Sequence, residues 1–492
     1  MRGKSELWFL RAGLLAAPCL AAVAALPCHA LSLHTSKPTV QVLMVSDIHF
    51  EPFWDPDKAA QLAVAGPEDW KSILATPDSA DREQKFAALQ QTCHARGTDS
   101  SYALLASSLK AMQADAKDTG FVTLSGDLIA HSFSCKYQTL FPKSSPSDYR
   151  DFVEKTIEFV MDQLRETFPH APVYAALGNN DSDCGDYQLD ADSQFLDDVG
   201  RILTENLPQP EITGIPELER KKAAKDFADG GYYSAALPIH HARILVLDDL
   251  FMARKYATCA NKTDPQEAGA QVMWLRQELH HARKDKEKIW VMAHIPPGVD
   301  PYSTITKAKN VCGGKSPQMF LSSDAMADAI ADYGDVIPLA IFAHTHMDEM
   351  RLLEPDKKDE AQGPVAVKMV PSISPIDGNN PSFTVGTVDA ETGVLMDYHV
   401  IAASNQSGAK WAEEYDYAKA YQEPSFAAGS VENLFAEFKT DPLAQSAVSQ
   451  NYLKNYFVGD MGHALKAFWP QYVCALDNRT ESSFRACYCA AK

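Results

Sequence analysis

One local pattern constrains this chain more than any other: five short clusters of Asp, Asn and His, each placed just after an apolar, strand-like run. Val42-Leu43-Met44-Val45 leads to Asp47-Ile48-His49, and Phe121-Val122-Thr123-Leu124 to Gly126-Asp127. Val173-Tyr174-Ala175-Ala176-Leu177 leads to Gly178-Asn179-Asn180-Asp181, Ile289-Trp290-Val291-Met292 to Ala293-His294, and Leu339-Ala340-Ile341-Phe342 to His344-Thr345-His346. Short apolar runs alternating with amphipathic stretches at 102–114, 149–166 and 266–283 predict an α/β fold. Polar residues at the carboxyl ends of neighbouring strands then share one edge of a sheet, where such folds build their sites. The runs 365–370, 382–388 and 394–401 read as further strands, and 411–492 reads as helical and rich in aromatic residues.

The residue types narrow the chemistry. Carboxylate, imidazole and amide ligands suit divalent zinc, manganese or iron, and no cysteine lies in the clusters to suggest a structural thiolate site. Two such ions about 3.5–4 Å apart clamp the attacking and leaving oxygens of a phosphoester, and coordination lowers the pKa of water from about 15.7 to about 7. Each cluster alone recurs by chance, but all five in one order behind five strands point to a metal-dependent phosphoesterase with two divalent ions, zinc first among them.

The set resembles the calcineurin-like metallophosphoesterase superfamily and, within it, the acid sphingomyelinase-like phosphodiesterases. The narrower resemblance rests on Gly126-Asp127-Leu128-Ile129-Ala130-His131, His294-Ile295-Pro296-Pro297-Gly298 and Ala343-His344-Thr345-His346-Met347-Asp348. The stretch from Asp264-Pro265 to Trp274-Leu275 and the cysteine-bearing tail from Val473 to Cys487 add to it. The resemblance runs from Val40 to the C-terminus and implies two sheets packed face to face with helices outside. It implies that Asp47, His49, Asp127 and His346 hold one ion and that Asp127, Asn179, His294 and His344 hold the other, with Asp127 bridging. It also implies that His131 is the general acid that protonates the leaving group, a role favoured at mildly acidic pH.

The chain departs from that family twice. Where the family usually has Gly-Asn-His, this sequence has Gly178-Asn179-Asn180, so Asn180 takes the place of the histidine that would contact the transferring phosphoryl group. An amide donates a hydrogen bond but supplies neither a proton nor positive charge, so slower turnover is expected. Endopolyphosphatase-type relatives look similar here, with Asn-Asn in the same place, which leaves polyphosphate hydrolysis as an alternative, alongside non-catalytic binding of metal or phosphate. Ala343 replaces a usual Gly, a change expected to be tolerated.

The first residues set the expected compartment. Basic Arg2, Lys4 and Arg11, an apolar and small-residue stretch broken by Pro18, and small residues closing at Cys28-His29-Ala30 read as a secretory signal over residues 1–30. Arg11 and Pro18 interrupt the apolar stretch too often for a membrane anchor. A secreted or periplasmic protein is expected, with a catalytic domain at 31–403 and a C-terminal helical subdomain at 404–492. Outside the signal, Cys93, Cys135, Cys184, Cys259, Cys312, Cys474, Cys487 and Cys489 suit disulfides in an oxidising compartment, with free buried thiols the alternative. Spacing and the resemblance suggest Cys259 with Cys312 and Cys474 with Cys487.

A formal net charge of −20 repels a nucleic-acid backbone or an anionic membrane, so a small phosphoester substrate and a monomer are expected. Residues 31–41 are too few for the lipid-handling saposin-type domain of acid sphingomyelinase, which favours soluble phosphodiesters or nucleotide phosphoanhydrides. The pairs His240-His241 and His280-His281 read as solvated, Asp248-Asp249 as a turn with lining of the cleft the alternative, and Tyr187 and Tyr302 as candidates for stacking on substrate with nothing to single them out.

Overall fold

The computed structural model describes residues 38–207, 216–308, 310–355, 362–459 and 465–490; the predicted signal lies outside them. Among the described residues, twelve strands form two six-stranded sheets. The first has the order β12-β11-β10-β1-β2-β3, built from β1 (Thr39–Val45), β2 (Phe121–Ser125), β3 (Val173–Ala176), β10 (Ser382–Asp389), β11 (Leu395–Ala402) and β12 (Ala412–Asp416). The second has the order β4-β5-β6-β7-β9-β8, built from β4 (Tyr233–Ala236), β5 (Ala242–Val246), β6 (Lys288–Met292), β7 (Leu339–Phe342), β8 (Glu349–Leu353) and β9 (Val365–Met369).

Each sheet is parallel in the part that carries the clusters. β1, β2 and β3 run parallel, as do β5, β6, β7 and β9, while the remaining pairings are antiparallel. Parallel strands buried on both faces read as unbroken apolar runs, which is why the sequence announces them so clearly.

Strand alternation divides the interior. Ile244, Val246, Trp290, Met292, Leu339 and Ile341 face the core between the sheets, while Leu245, Leu247, Ile289, Val291, Ala340 and Phe342 face a second core with Leu275 and Leu279 of the helix Gln266–Asp285. Phe121 meets Trp290 edge-on across the sandwich, with ring centres 5.4 Å apart. At one margin the Tyr233 hydroxyl donates to Ala175 O and accepts from Ala175 N, both at 3.0 Å. The outer face of the first sheet is covered by helices such as Pro146–Thr167, whose start is fixed by a capping box between Ser145 and Asp148 and by Pro146 in its first turn.

The α/β sandwich with flanking helices agrees with the sequence expectation, and the amphipathic stretches are the helices Tyr102–Asp115, Pro146–Thr167 and Gln266–Asp285. Two expectations are corrected. Residues 411–492 are not wholly helical, because Ala412–Asp416 is β12, an edge strand whose exposed Glu413 leaves no apolar run to read. Cys259 does not bond to Cys312: the disulfides are Cys93–Cys135, Cys184–Cys259, Cys312–Cys489 and Cys474–Cys487. The chain brings Cys259 beside the loop after β3 and the final helix Glu481–Ala490 beside Cys312, neighbours that linear spacing does not reveal. Only the Cys474–Cys487 suggestion matches.

Candidate metal centre

The five clusters meet at one edge of the sandwich, and three of them are shaped by an unusual backbone turn. Asp47, His49, Asp127, His344 and His346 all take left-handed φ angles, 47°, 44°, 55°, 70° and 63°. Such conformations cost of order 1–3 kcal/mol each for residues with a Cβ and persist where the surroundings fix them. Here Asp47 N donates to Gly126 O at 3.1 Å and His49 N to Asp127 O at 2.9 Å, tying the first cluster to the second. The buried Asp181 carboxylate ties the second to the third, accepting from Leu128 N and Ile129 N with Oδ1 and from Gly178 N with Oδ2, all within 3.0 Å. Gly126 is required twice over: its φ is +96°, and a Cβ there would stand 2.7 Å from His294 Nδ1. A Cβ on Gly178 would stand 2.2 Å from Asp127 Oδ1.

The predicted ligands converge in two groups that share one carboxylate oxygen. In the first, His49 Nε2 lies 3.4 Å from Asp127 Oδ2 and 3.2 Å from His346 Nε2, which is 3.4 Å from Asp47 Oδ1. In the second, His294 Nε2 lies 3.2 Å from the same Asp127 Oδ2 and 3.3 Å from His344 Nδ1. Two atoms bound about 2.0–2.2 Å from one ion, at the angles of four- to six-fold coordination, lie about 3–3.6 Å apart, so both groups have the spacing of shared ligation. Both Asp47 carboxylate oxygens and the Asn179 Oδ1 are buried without a hydrogen-bond partner. Buried acceptors left unmatched cost free energy unless something else satisfies them, and a cation does so for all three. The residues present therefore fit divalent metal ions.

The imidazoles are held so that the right nitrogen faces inward. His49 Nδ1 is 3.0 Å from Ile129 O, and His294 Nδ1 is 2.8 Å from Ser125 O, which leaves Nε2 of each for the centre. Ala343 stays out of the left-handed region and is fully buried, so the extra methyl brings no backbone strain.

Electrostatics show the pull on positive charge. Burial lowers the pKa of His49, but Asp127 and Asp47 outweigh it and raise the group to about 9. His294, likewise pulled down by burial, is raised to about 10 by Asp127 and Asp47. Burial and the neighbouring His294 push His344 down to about 3, and burial lowers His346. Burial raises Asp127, yet His294 and His49 hold it well below the usual carboxylate range.

His131, whose ring nitrogen falls with those of His49 and His346 in a cluster that could hold an ion, and Asn180 both sit against this centre. The His131 ring stacks on His49 with centres 4.0 Å apart and is about a third exposed. Its Nδ1 is 3.0 Å from Asp99 Oδ1, and its backbone N donates to Asp99 Oδ2 at 2.8 Å. Asn180 donates from both its backbone N and its Nδ2 to Asp127, each at 2.9 Å.

Four carboxylates stand around the centre; sequence reading gave no role to Asp99, Asp181 or Asp186 and favoured a turn over the cleft for Asp249. Asp99 receives His131 and the Ser374 hydroxyl. Asp181 braces two clusters, Asp186 accepts from Asn179 Nδ2 at 2.7 Å, and Asp249 accepts from Ile295 N at 3.0 Å. Asp181 lies within a ligand cluster, Asp186 lies seven residues past Asn179, and Asp249 follows the apolar run 244–247, whereas Asp99 comes close only through tertiary folding. Asp248 and Asp249 are fully buried, and their turn is a short 3₁₀ segment beside His294. Tyr187 places its hydroxyl 3.1 Å from His344 Nε2, whereas Tyr302 is exposed. The pairs His240-His241 and His280-His281 are exposed, as expected.

Comparison with known proteins bears on the fold and the family. Residues 40–348 match the model of the calcineurin-like phosphoesterase family. The chain is 26% identical to human acid sphingomyelinase-like phosphodiesterase 3b over 410 residues, 80% of this chain and 81% of that one. It is 24% identical to the Bos taurus cyclic GMP-AMP phosphodiesterase SMPDL3A, over 79% of this chain and 81% of that one. Against sphingomyelinase phosphodiesterase C of Dictyostelium discoideum it is 24% identical over 61% of each chain. Among solved structures, a calcineurin-like phosphoesterase YfkN from Bacillus subtilis aligns with a TM-score of 0.30 at 11% identity, over 85% of this chain and 98% of that one. The match that spans the clusters from β1 to the end of the His344-Thr345-His346 segment settles the family: this chain belongs to the calcineurin-like phosphoesterases, a family of hydrolases, and is similar to its acid sphingomyelinase-like phosphodiesterases.

Proposed function

We propose that this protein is a secreted or periplasmic phosphodiesterase that works as a monomer with two divalent ions, zinc first among them, on soluble phosphodiesters or nucleotide phosphoanhydrides. The observation that carries this reading is the pair of ligand groups sharing Asp127 Oδ2, with Asp47 and Asn179 offering buried, unmatched oxygens beside them. Asp47, His49, Asp127 and His346 hold one ion, and Asp127, Asn179, His294 and His344 hold the other. Bound there, the ions supply Lewis acidity that neutralises an anionic phosphoryl group and acidifies water.

The protein's own groups do the rest. Asp99 holds the His131 ring by Nδ1, so that Nε2 is the nitrogen that passes a proton to the leaving oxygen. The Asn180 amide, close to Asp127, offers a donor to a phosphoryl oxygen. Relatives named as phosphodiesterases, one of them for cyclic GMP-AMP, support a diester substrate over polyphosphate.

Export is supported by the pairing of all eight cysteines outside residues 1–37 into four disulfides, a pattern that reducing cytoplasm does not sustain. Within the same proposal, residues 1–30 are the signal, 31–403 the catalytic domain and 404–492 a C-terminal subdomain.

The test is hydrolysis of bis-p-nitrophenyl phosphate and p-nitrophenyl phosphate from acidic to neutral pH by zinc- or manganese-loaded protein. Turnover of the diester that Asp127→Asn lacks is the expected result. Retention of two ions with no turnover of any soluble phosphoester would replace the enzyme with a binding protein.

A further inference from the structure

The loop that follows β3 does more than carry Asn179. From the distances within it we infer that Asp186 and Tyr187, two adjacent residues that are not themselves ligands, act as positioning residues for one ion only, the ion held by Asn179, His294 and His344. This inference rests on the two-metal reading above and adds to it a division of labour between the halves of the site.

Asp186 sets the orientation of the Asn179 amide. An amide presents an acceptor and a donor that differ little in shape, so something must decide which end faces the centre. The Asp186 Oδ1 accepts from Asn179 Nδ2 at 2.7 Å, and an ionised carboxylate can only accept. The nitrogen is thereby turned to Asp186, and Asn179 Oδ1 is left buried without a hydrogen-bond partner, the state of an oxygen prepared for a cation. A carboxylate ligand would need no such control; a neutral amide ligand does.

Tyr187 sets the tautomer of His344. The His344 Nδ1 lies 3.3 Å from His294 Nε2, on the side of the second group, while Nε2 lies 3.1 Å from the Tyr187 hydroxyl. For Nδ1 to offer a lone pair, Nε2 must carry the proton and donate it to Tyr187. His49 and His294 donate instead to main-chain carbonyls, Ile129 O and Ser125 O, and His346 Nδ1 lies 3.8 Å from Asp377 Oδ2 without a hydrogen bond, so among the described residues His344 is the ligand imidazole hydrogen-bonded to a side chain beyond the ligand set that substitution can remove.

The loop is built to hold both contacts at once. Tyr187 N donates to Asn179 O at 2.9 Å, closing the segment from ligand to partner, and Tyr187 takes a left-handed φ of 57°. Cys184 within the segment is bonded to Cys259, and Ala257 N donates to Tyr187 O at 3.0 Å, so the loop is anchored at two points to the strip before the helix Gln266–Asp285. No contact of Asp186 or Tyr187 reaches Asp47, His49 or His346 among the hydrogen bonds of the described residues.

The experiment titrates metal-free protein with zinc in competition with a chromophoric chelator, without reference to turnover. Wild type takes up two ions per chain. Tyr187→Phe, which removes one oxygen, and Asp186→Ala each hold one ion at wild-type affinity and weaken the other about 10–100-fold. Asp186→Asn, which keeps an acceptor oxygen for Asn179, restores the second ion. Both ions held at wild-type strength in Tyr187→Phe and Asp186→Ala would overturn the inference, as would equal loss of both ions, which marks a merely structural role. Fewer than two ions in wild type would overturn the two-metal reading itself, and the inference with it.

Discussion

Asn180 stands where the family resemblance leads one to expect histidine, and its surroundings say what an amide brings there. Its Nδ2 lies 2.9 Å from the carboxylate oxygen that both ligand groups share, so the amide reaches the centre but brings no charge there. Removing one such donor from a transition-state site lowers turnover by about 100-fold. Asn180→Ala is therefore expected to lose about 100-fold in kcat on a soluble diester, with zinc content unchanged by atomic absorption.

Two imidazoles give the site a pH dependence of definite sign. In metal-free protein His49 is raised to about 9 and His294 to about 10, above an unfolded value near 6.5. Their protonation stabilises the metal-free fold fully below about pH 6.5, and that contribution disappears as pH rises through 9 and 10. Ion binding needs both rings deprotonated, so apparent zinc affinity rises with pH over the same window. Calorimetry of metal-free protein from pH 7 to 10 is expected to show a falling Tm while zinc affinity tightens. At this scale the sequence displayed the ligands, because they are short motifs at strand ends. It hid Asp99, whose contacts to His131 and Ser374 span 32 and 275 residues, and it marked no role for Asp186, only seven residues past its partner Asn179.

Among elements, the strands with apolar runs were legible and those without were not. β8 carries a buried Glu349–Arg351 pair at 2.6 Å in place of an apolar alternation, and β12 is a polar edge. Burial of charge through pairing is a tertiary fact that no local pattern reports. The turns after the strands matter as much as the strands. Gly126→Ala would force a Cβ into a positive-φ position against His294 and is expected to destabilise the protein by about 1–3 kcal/mol in urea unfolding. Gly269→Ala, inside the helix Gln266–Asp285 with nothing within 4 Å of the new methyl, is expected to stabilise it by about 0.5–1 kcal/mol. The contrast separates glycines that shape the site from one that merely sits in a helix.

For the whole molecule, the sequence pattern and the sandwich agree because one arrangement serves both: parallel strands end together, and side chains beyond those ends can share a small volume. The disulfide framework was not legible beyond Cys474–Cys487, since Cys312 and Cys489 are 177 residues apart and meet only once the last helix docks. With a formal net charge of −20, the two-ion proposal has an anionic phosphoester drawn by bound cations rather than by net positive charge of the protein. The account therefore stands on the two ions acting together. The most direct measurement is bis-p-nitrophenyl phosphate hydrolysis by metal-free protein as zinc is added in equivalents. The account predicts no turnover without metal and a plateau reached at two equivalents; turnover in metal-free protein, or a plateau at one equivalent, would contradict it.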